Sequence, residues 1–384
     1  GIFKHYCFSV TGHEGEKQDK VKGDSFQGKH SRLELLPNVF TSLTISKYRK
    51  PVSLLKQSST LKFSNRIKKT VLLLLGAGMF FLLLQLLFPL PDEPEWSPII
   101  KDNKGRVVHA FLTADQKWRM KTELIEISPL LQKAILEKED RWFYYHPGVN
   151  PVAVIRAGWN NLIKGKRTSG ASTITMQVAR ALEPGKRTWW KKITESFRAV
   201  QIEIRYSKKE ILQLYLNLVP YGGNIEGVKS ASVLYFDKNP DHLSLAEIMA
   251  LSVIPNRPNS LVMGKHNDRI VTERNRWLEQ FRQNGIFPEN DIRDAIEEPL
   301  TAYRHSAPRF IPHLSYKLRK SGASSIPTAI DLNTQLLVEK LVADYIRPLR
   351  YQSIRNAAVI VVENASGKVI SYLGSADFND VADG

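Results

Sequence analysis

Residues 71–90 form an almost unbroken apolar run, with Leu72, Leu73, Leu74 and Leu75 followed by Phe80, Phe81, Leu82, Leu83 and Leu84, interrupted only by Gln85. About 20 apolar residues in a helix match one bilayer thickness. A buried core helix of this length would show a polar face, and this run has none, so the pattern predicts a membrane-spanning helix. It lies too far from the N-terminus, and lacks the small-residue pattern, for a cleavable signal peptide. Beyond a Pro-rich collar at 89–98 the texture changes to short blocks. Residues 98–101 and 106–110 predict a strand pair across the turn Asp102-Asn103-Lys104-Gly105.

From Ser128 the spacing becomes helical. Leu130, Leu131, Ala134, Ile135 and Lys138 follow i, i+3, i+4 up to Glu139, with Ser128-Pro129 as cap and first turn. Further helices are predicted at 152–164, 173–182, 191–205, 208–218, 226–235, 244–254 and 268–284, so the part beyond the membrane is mainly α and closes near Pro299. A second texture begins near Ile326. A helix at 334–346 precedes two strands, 357–363 and 368–373, joined at Asn364-Ala365-Ser366-Gly367. These read as the opening of a sheet-containing domain that stops at Gly384 before it is complete. The expected organisation is a basic tail (1–70), a transmembrane helix (71–90), a helical domain (95–300), a linker (301–325) and an incomplete α+β domain (326–384).

Charge adds orientation to this outline. Arg66, Lys68 and Lys69 precede the apolar run, while Asp92, Glu93 and Glu95 follow it. The excess of cations on one flank places the tail in the cytoplasm and everything after about Pro91 outside. The net charge of +17 points to an anionic partner. Much of that charge sits in the tail, and the topology separates the outer domain from the chromosome, which argues against a nucleic-acid binder. The single cysteine, Cys7, falls on the cytoplasmic side, so the outer domain has no internal disulfide. Two Ser-x-x-Lys matches, at Ser53 and Ser59, lie in the tail and read as chance. No Ser-x-x-Lys follows the membrane helix and there is no Lys-Thr-Gly, so no transpeptidase nucleophile can be assigned.

Candidate chemistry gathers in three places. Glu139-Asp140-Arg141-Trp142-Phe143-Tyr144-Tyr145-His146-Pro147-Gly148 sets two carboxylates against aromatics where an apolar helix stops. A partly desolvated carboxylate there can take or give a proton near neutrality; a solvated helix end is the plain alternative. Next, the segment 166–180 runs small hydroxyl residues into a helix, with Ser172, Thr173 and Gln177 near the start and Arg180 further in. Backbone N–H groups, the helix dipole and a guanidinium together suit an anion; an ordinary Ser/Thr cap is the alternative. Third, Lys191, Lys192 and Glu195 share roughly one helix face, as an anion site or as a surface ion pair.

Four stretches, 139–148, 170–177, 191–195 and 209–217, resemble in order and spacing the successive motifs of the peptidoglycan glycosyltransferase domain of class A penicillin-binding proteins. The stretches 171–180 and 221–228 are similar to the 1C type in particular. Ala171, Met176, Lys191 and Gln213 stand where the wider pattern has Gly, Gln, Arg and Glu; Gln213 leaves the fourth motif without its charge, and Tyr215, Leu216 and Asn217 read as structural. The resemblance implies a lysozyme-like α-helical glycosyltransferase domain behind one transmembrane helix, followed by the truncated start of a transpeptidase-like domain. It implies a single-pass protein of the bacterial inner membrane, N-terminus cytoplasmic and catalytic domain periplasmic, in contact with membrane lipids and with other cell-wall synthesis proteins as candidate partners.

The implied reaction joins lipid II units into β-1,4-linked strands with release of polyprenyl diphosphate. Glu139 matches the general base for the acceptor 4-hydroxyl and Glu195 the second motif carboxylate. Arg180, Lys191 and Lys192, with Ser172, Thr173 and Gln177 as hydrogen-bond partners, match the surroundings of the leaving group. Asp140 is expected either to support Glu139 through a local hydrogen bond or simply to end the helix. A divalent cation, Mg or Mn, at the diphosphate is left open, with Glu195 as the group to hold it or to orient the cations. A muramidase-like lytic enzyme would also use a Glu in a helical domain but needs no cationic diphosphate site, and a catalytically silent scaffold would not need both Glu139 and Glu195.

Overall fold

A computed structural model describes residues 65–164, 172–186 and 188–382. The basic tail with Cys7 and both Ser-x-x-Lys matches, and residues 165–171 of the hydroxyl-rich stretch, lie outside the described residues. The apolar run forms helix α1 (Asn65–Leu87), whose most apolar window buries nothing against the rest of the chain. It stops three residues before the predicted end because Pro89 and Pro91 follow, and proline neither donates a helical hydrogen bond nor clears the preceding turn. The foot of α1 is fastened: Phe81 packs edge-on against Phe197 at 5.6 Å, Arg198 donates to the carbonyls of Phe88 and Pro89 at 2.7 and 2.8 Å, and Gln201 donates to Phe88 at 3.0 Å.

The strand pair forms as predicted, β1 (Ile99–Lys101) running antiparallel to β2 (Val107–Ala110). On the other edge of β1, β5 (Ser325–Pro327) pairs in parallel, Ile99 opposite Ser325. Alternation along these strands splits the interior in two. Ile99 and Val107 point into the large helical core, whereas Ile100 and Val108 point the other way, onto Ile311 and Ile330. The sheet is thus a wall buried on both faces.

The helical body comprises α2 (Pro129–Glu139), α3 (Pro151–Lys164), α4 (Ile174–Leu182), α5 (Trp189–Arg205), α6 (Lys208–Leu218), α7 (Val228–Phe236), α8 (Leu245–Val253), α9 (Asn267–Gln283) and α10 (Glu289–Glu297). Helix α8 is apolar on all sides because it is surrounded: Ile248, Met249, Ala250 and Leu251 are buried and the helix packs on α2 and α9. Its start is a reciprocal capping box between Ser244 and Glu247. One expectation is corrected here. The helix predicted at 226–235 begins only at Val228, because Gly227 has a φ of +82° and breaks it; a Cβ there would lie 2.5 Å from the Asn217 carbonyl. Ile225 and Glu226 instead form β4, pairing in parallel with β3 (Trp118–Arg119), a two-residue contact too short to leave a pattern in the sequence. Beyond the body come α11 (Pro312–Arg319), α12 (Leu332–Leu349) and the antiparallel hairpin β6 (Val359–Glu363) and β7 (Lys368–Leu373). Buried Gln335 ties α12 to the hairpin by bonds to Ser371 and Tyr372.

A charged knot joins the sheet to the helical body. Glu126 accepts from Lys101 at 2.6 Å, from Thr122 at 2.8 Å and from the buried Lys229 at 3.3 Å. Burial pushes the Glu126 carboxyl up, but Lys101, Thr122 and Lys229 more than offset it and hold it at about 2. Burial is the main reason the Lys229 ammonium falls to about 8. Because the Glu126 carboxyl is more acidic folded than its ordinary 4.5, the unfolded chain takes up its proton first as the pH falls. Its contribution is complete above 4.5 and lost on descending to about 2. Glu126→Gln is expected to cost about 1–2 kcal/mol at neutral pH, after allowance for solvent screening, and to flatten the acid decline over that interval, as read from thermal midpoints against pH.

Candidate active site

Helix α2 is capped at its start by Ser128, which accepts from the Leu130 amide at 3.3 Å, and it ends at Glu139. Asp140 then leaves helical geometry with φ −159°. Both of its oxygens lie 3.0 Å from His146 Nε2, and one accepts the Ile174 amide at 3.0 Å, at the N-terminus of α4. Of the two expectations for Asp140, the helix end holds, since it is the C-cap of α2, and the local hydrogen bond to Glu139 is corrected: Asp140 instead pins the 140–148 loop to α4. Gly148 completes the fastening. Its φ is +84° and a Cβ would meet the Ala199 carbonyl of α5 at 2.8 Å, so only glycine lets the loop lie this close.

Glu139 is itself nearly enclosed, with 8% of its side chain exposed. One carboxylate oxygen is paired with the Lys138 ammonium, whose side chain is only 1% exposed, and the other accepts from Gln177 Nε2 at 3.0 Å. The Asn256 amide completes the group when its nitrogen faces Glu139, donating at 3.1 Å while its oxygen accepts from Lys138 at 2.6 Å. Lys138 also sits 5.4 Å above the Trp277 ring. Two buried phenols complete the surroundings. The Tyr215 and Tyr221 hydroxyls have no hydrogen-bond partner among the described residues. Burial first, and the negative charge of Glu139 second, push both far above the ordinary tyrosine value, so both are neutral phenols.

The second predicted carboxylate is also in place. Arg180 Nε and Nη2 each bond one oxygen of Glu195 at 2.8 Å, a bidentate fork that raises the guanidinium further. Glu195 is buried on α5 and Arg180 is partly open. Lys191 turns to Glu183 at 3.1 Å, which Arg198 also bonds at 3.0 Å; these cations outweigh burial and hold the Glu183 carboxyl below its usual range. Lys192 is exposed on α5 and makes no ion pair among the described residues. Thr173 caps α4, accepting from the Met176 amide at 3.1 Å and donating to the Gly148 carbonyl. Among the described residues no three His, Cys, Asp or Glu side chains converge as a metal site, and both Glu195 oxygens accept from Arg180.

Two clefts border this cluster. One, of about 240 Å³, is lined by Gln177, Arg180, Tyr215, Glu226, Pro255 and Pro258. The other, of about 370 Å³, is lined by Glu139, Arg141, Asn150, Arg156, Ser172 and Trp277. Gln177 borders the first and bonds the carboxylate that borders the second. Sequence reasoning missed Lys138, Asn256 and Tyr221, and read Tyr215 as structural. Lys138 alone had a visible signal, a lysine at an otherwise apolar helical position beside Glu139.

Residues 104–282 match the family model described as Transglycosylase. The chain is 37% identical over 296 residues to penicillin-binding protein 1C of Escherichia coli (strain K12), covering 77% of this chain and 38% of that protein. It is 32% identical over 299 residues to penicillin-binding protein 1A of Aquifex aeolicus (strain VF5), covering 71% and 41% respectively. Penicillin-binding protein 1A of Escherichia coli (strain K12) is 35% identical over 262 residues, 65% of this chain and 30% of that protein. The chain thus spans about two fifths of the first two relatives it matches.

Proposed function

Because the chain belongs to the class A penicillin-binding proteins through a transglycosylase domain of the 1C type, we propose that it polymerises lipid II into β-1,4-linked glycan strands and releases polyprenyl diphosphate. The observation that carries this reading is one enclosed carboxylate, Glu139, that lines one cleft and is bonded by Gln177 of the next, with guanidiniums in both, Arg180 in one and Arg141 and Arg156 in the other. A transferase needs two substrates to meet at a base; a hydrolase needs one cleft and water.

The growing strand occupies the Arg180 cleft as donor and lipid II the Glu139 cleft as acceptor. Glu139 takes the proton of the acceptor 4-hydroxyl as that oxygen bonds to donor C1 with inversion, and the bond from C1 to the diphosphate oxygen breaks. The diphosphate leaves as an anion, so no acid need protonate it; Arg180, held in orientation by Glu195, supplies the charge that stabilises it. Lys138 and Gln177 hold Glu139 in position. Lys192 meets the polyprenyl diphosphate from the exposed face of α5, while Lys191 keeps Glu183 beside it. No step is assigned to a metal. The fastening of α1 to α5 through Phe197, Arg198 and Gln201 fits a membrane-borne substrate, since it fixes the cleft's height above a bilayer crossed once, with the tail on the cytoplasmic side.

The test is incubation of the detergent-solubilised chain with lipid II, read by separating products by length. Long strands are expected. Shortening of preformed strands without synthesis would point instead to lytic chemistry and overturn the proposal.

A further inference from the structure

A third cleft, of about 460 Å³, opens between the β1–β2 strands, α11 and the segment around Phe378. Its wall is a run of touching rings. His109 and Phe111 lie 4.6 Å apart, Phe111 and Tyr316 meet edge-on at 5.2 Å, and Tyr316 stacks on Phe378 at 5.6 Å with 18° between planes. Tyr316 and Phe378 stay substantially exposed although both are large and aromatic. Burial, reinforced by Arg309, pulls the His109 imidazole below its usual value against its bond to the Phe310 carbonyl, so it serves as a neutral ring. Two guanidiniums flank the rings: Arg319, 4.8 Å over Phe111, and Arg309. Neither makes an ion pair among the described residues. The carboxylate that reaches this cleft, Glu95, is occupied by the Ala114 amide at 2.8 Å.

The third cleft and the Arg180 cleft lie on either side of one narrow ribbon. Trp118 of β3 lines the third cleft and Glu226 of β4 lines the Arg180 cleft; Trp118 pairs with Ile225 and Arg119 with Glu226. Arg119 and Lys117 neutralise Glu226 at 2.6 and 3.2 Å, so the crossing point presents no uncompensated negative charge. The link continues through Asn224, which donates to the Gln116 carbonyl at 2.9 Å and accepts from Arg304 at 2.7 Å.

We propose that this third cleft is a subsite for the growing glycan strand, binding a sugar unit on its ring wall and a carboxylate of the attached peptide at Arg309 and Arg319. The assignment rests on the glycosyltransferase reading. A concave wall of aromatic rings beside two guanidiniums suits a carbohydrate that carries carboxylates. A product held at a second point stays near the catalytic cleft after each transfer, which raises its effective concentration there and lengthens the strand.

The experiment compares the full chain with the Tyr316→Ala/Arg319→Ala variant and with the conservative Arg319→Lys, on lipid II, with strand length measured at equal substrate consumption and folding verified by thermal melts. Strands roughly threefold shorter are expected from the double variant, with Arg319→Lys intermediate. In parallel, soluble glycan fragments with and without their peptides are titrated against each protein; the double variant is expected to lose affinity for both fragments, and Arg319→Lys only for the peptide-bearing one. Unchanged strand lengths together with unchanged fragment binding would overturn the subsite while leaving the polymerase intact. An unmodified chain that makes no strands at all would take down the underlying reading, and the subsite with it.

Discussion

Glu139→Gln lowers the rate of strand formation by about 10²–10⁴-fold, the range a general base contributes, while the chain still folds and inserts. The substitution keeps the size of the side chain and can still accept from Gln177, but it cannot hold a proton taken from a sugar hydroxyl. Its structural cost falls on Lys138, which is almost fully enclosed and would lose its anionic partner. Asn256 and the Trp277 ring remain to it, so a lowered melting temperature with a native circular dichroism spectrum is expected. Strand synthesis at near the unmodified rate by a folded Glu139→Gln protein would remove Glu139 from the chemistry.

The second large effect concerns the fork between Arg180 and Glu195. Arg180→Met removes the guanidinium that meets the departing diphosphate and is expected to cost about 10²–10³-fold in rate, as for loss of one preorganised donor. It also strands a buried carboxylate, at roughly 3–5 kcal/mol of stability. These two losses can be separated. In Arg180→Met/Glu195→Gln the unpaired charge is gone, so much of the stability should return while the rate stays low. If the double variant recovered rate along with stability, Arg180 would be a structural partner of Glu195 and nothing more.

The elements most legible in the sequence were those whose pattern is local. The alternation at 98–110 and the helices at 152–218 depend on spacings of a few residues, and each formed within a residue or two of its expected place, whereas the apolar run formed a helix that starts six residues early and ends three early. Gly227 shows where that approach stops: the residue is visible, but its positive φ is imposed by the Asn217 carbonyl packed against it. Helix α10 carried readable signs, with acidic residues in its first turn and buried Ile292 and Ala295 at helical spacing, and α11 opens on Pro312. Of the site, Glu139, Gln177 and Glu195 could be named in advance because they fall in three of the four ordered motifs, and Arg180 because it closes the 1C-like stretch 171–180. Asn256 could not, since it reaches Glu139 across more than 80 residues of chain, and of the two readings of Asp140 the helix end held while the hydrogen bond to Glu139 gave way to bonds with His146 and the Ile174 amide.

The parallel pairing of β1 with β5 also sets an order of events during synthesis. Residue 99 leaves the ribosome long before residue 325, and at about 5–20 residues per second the delay is on the order of 10–45 s. Through that interval one edge of β1 stays without its partner strand, while Ile100 and Val108 wait for Ile311 and Ile330 to cover them. Arrest of translation between residues 217 and 325 would leave a nascent chain with all four ordered motifs made but the sheet beside them unfinished, and so open to pairing with another strand.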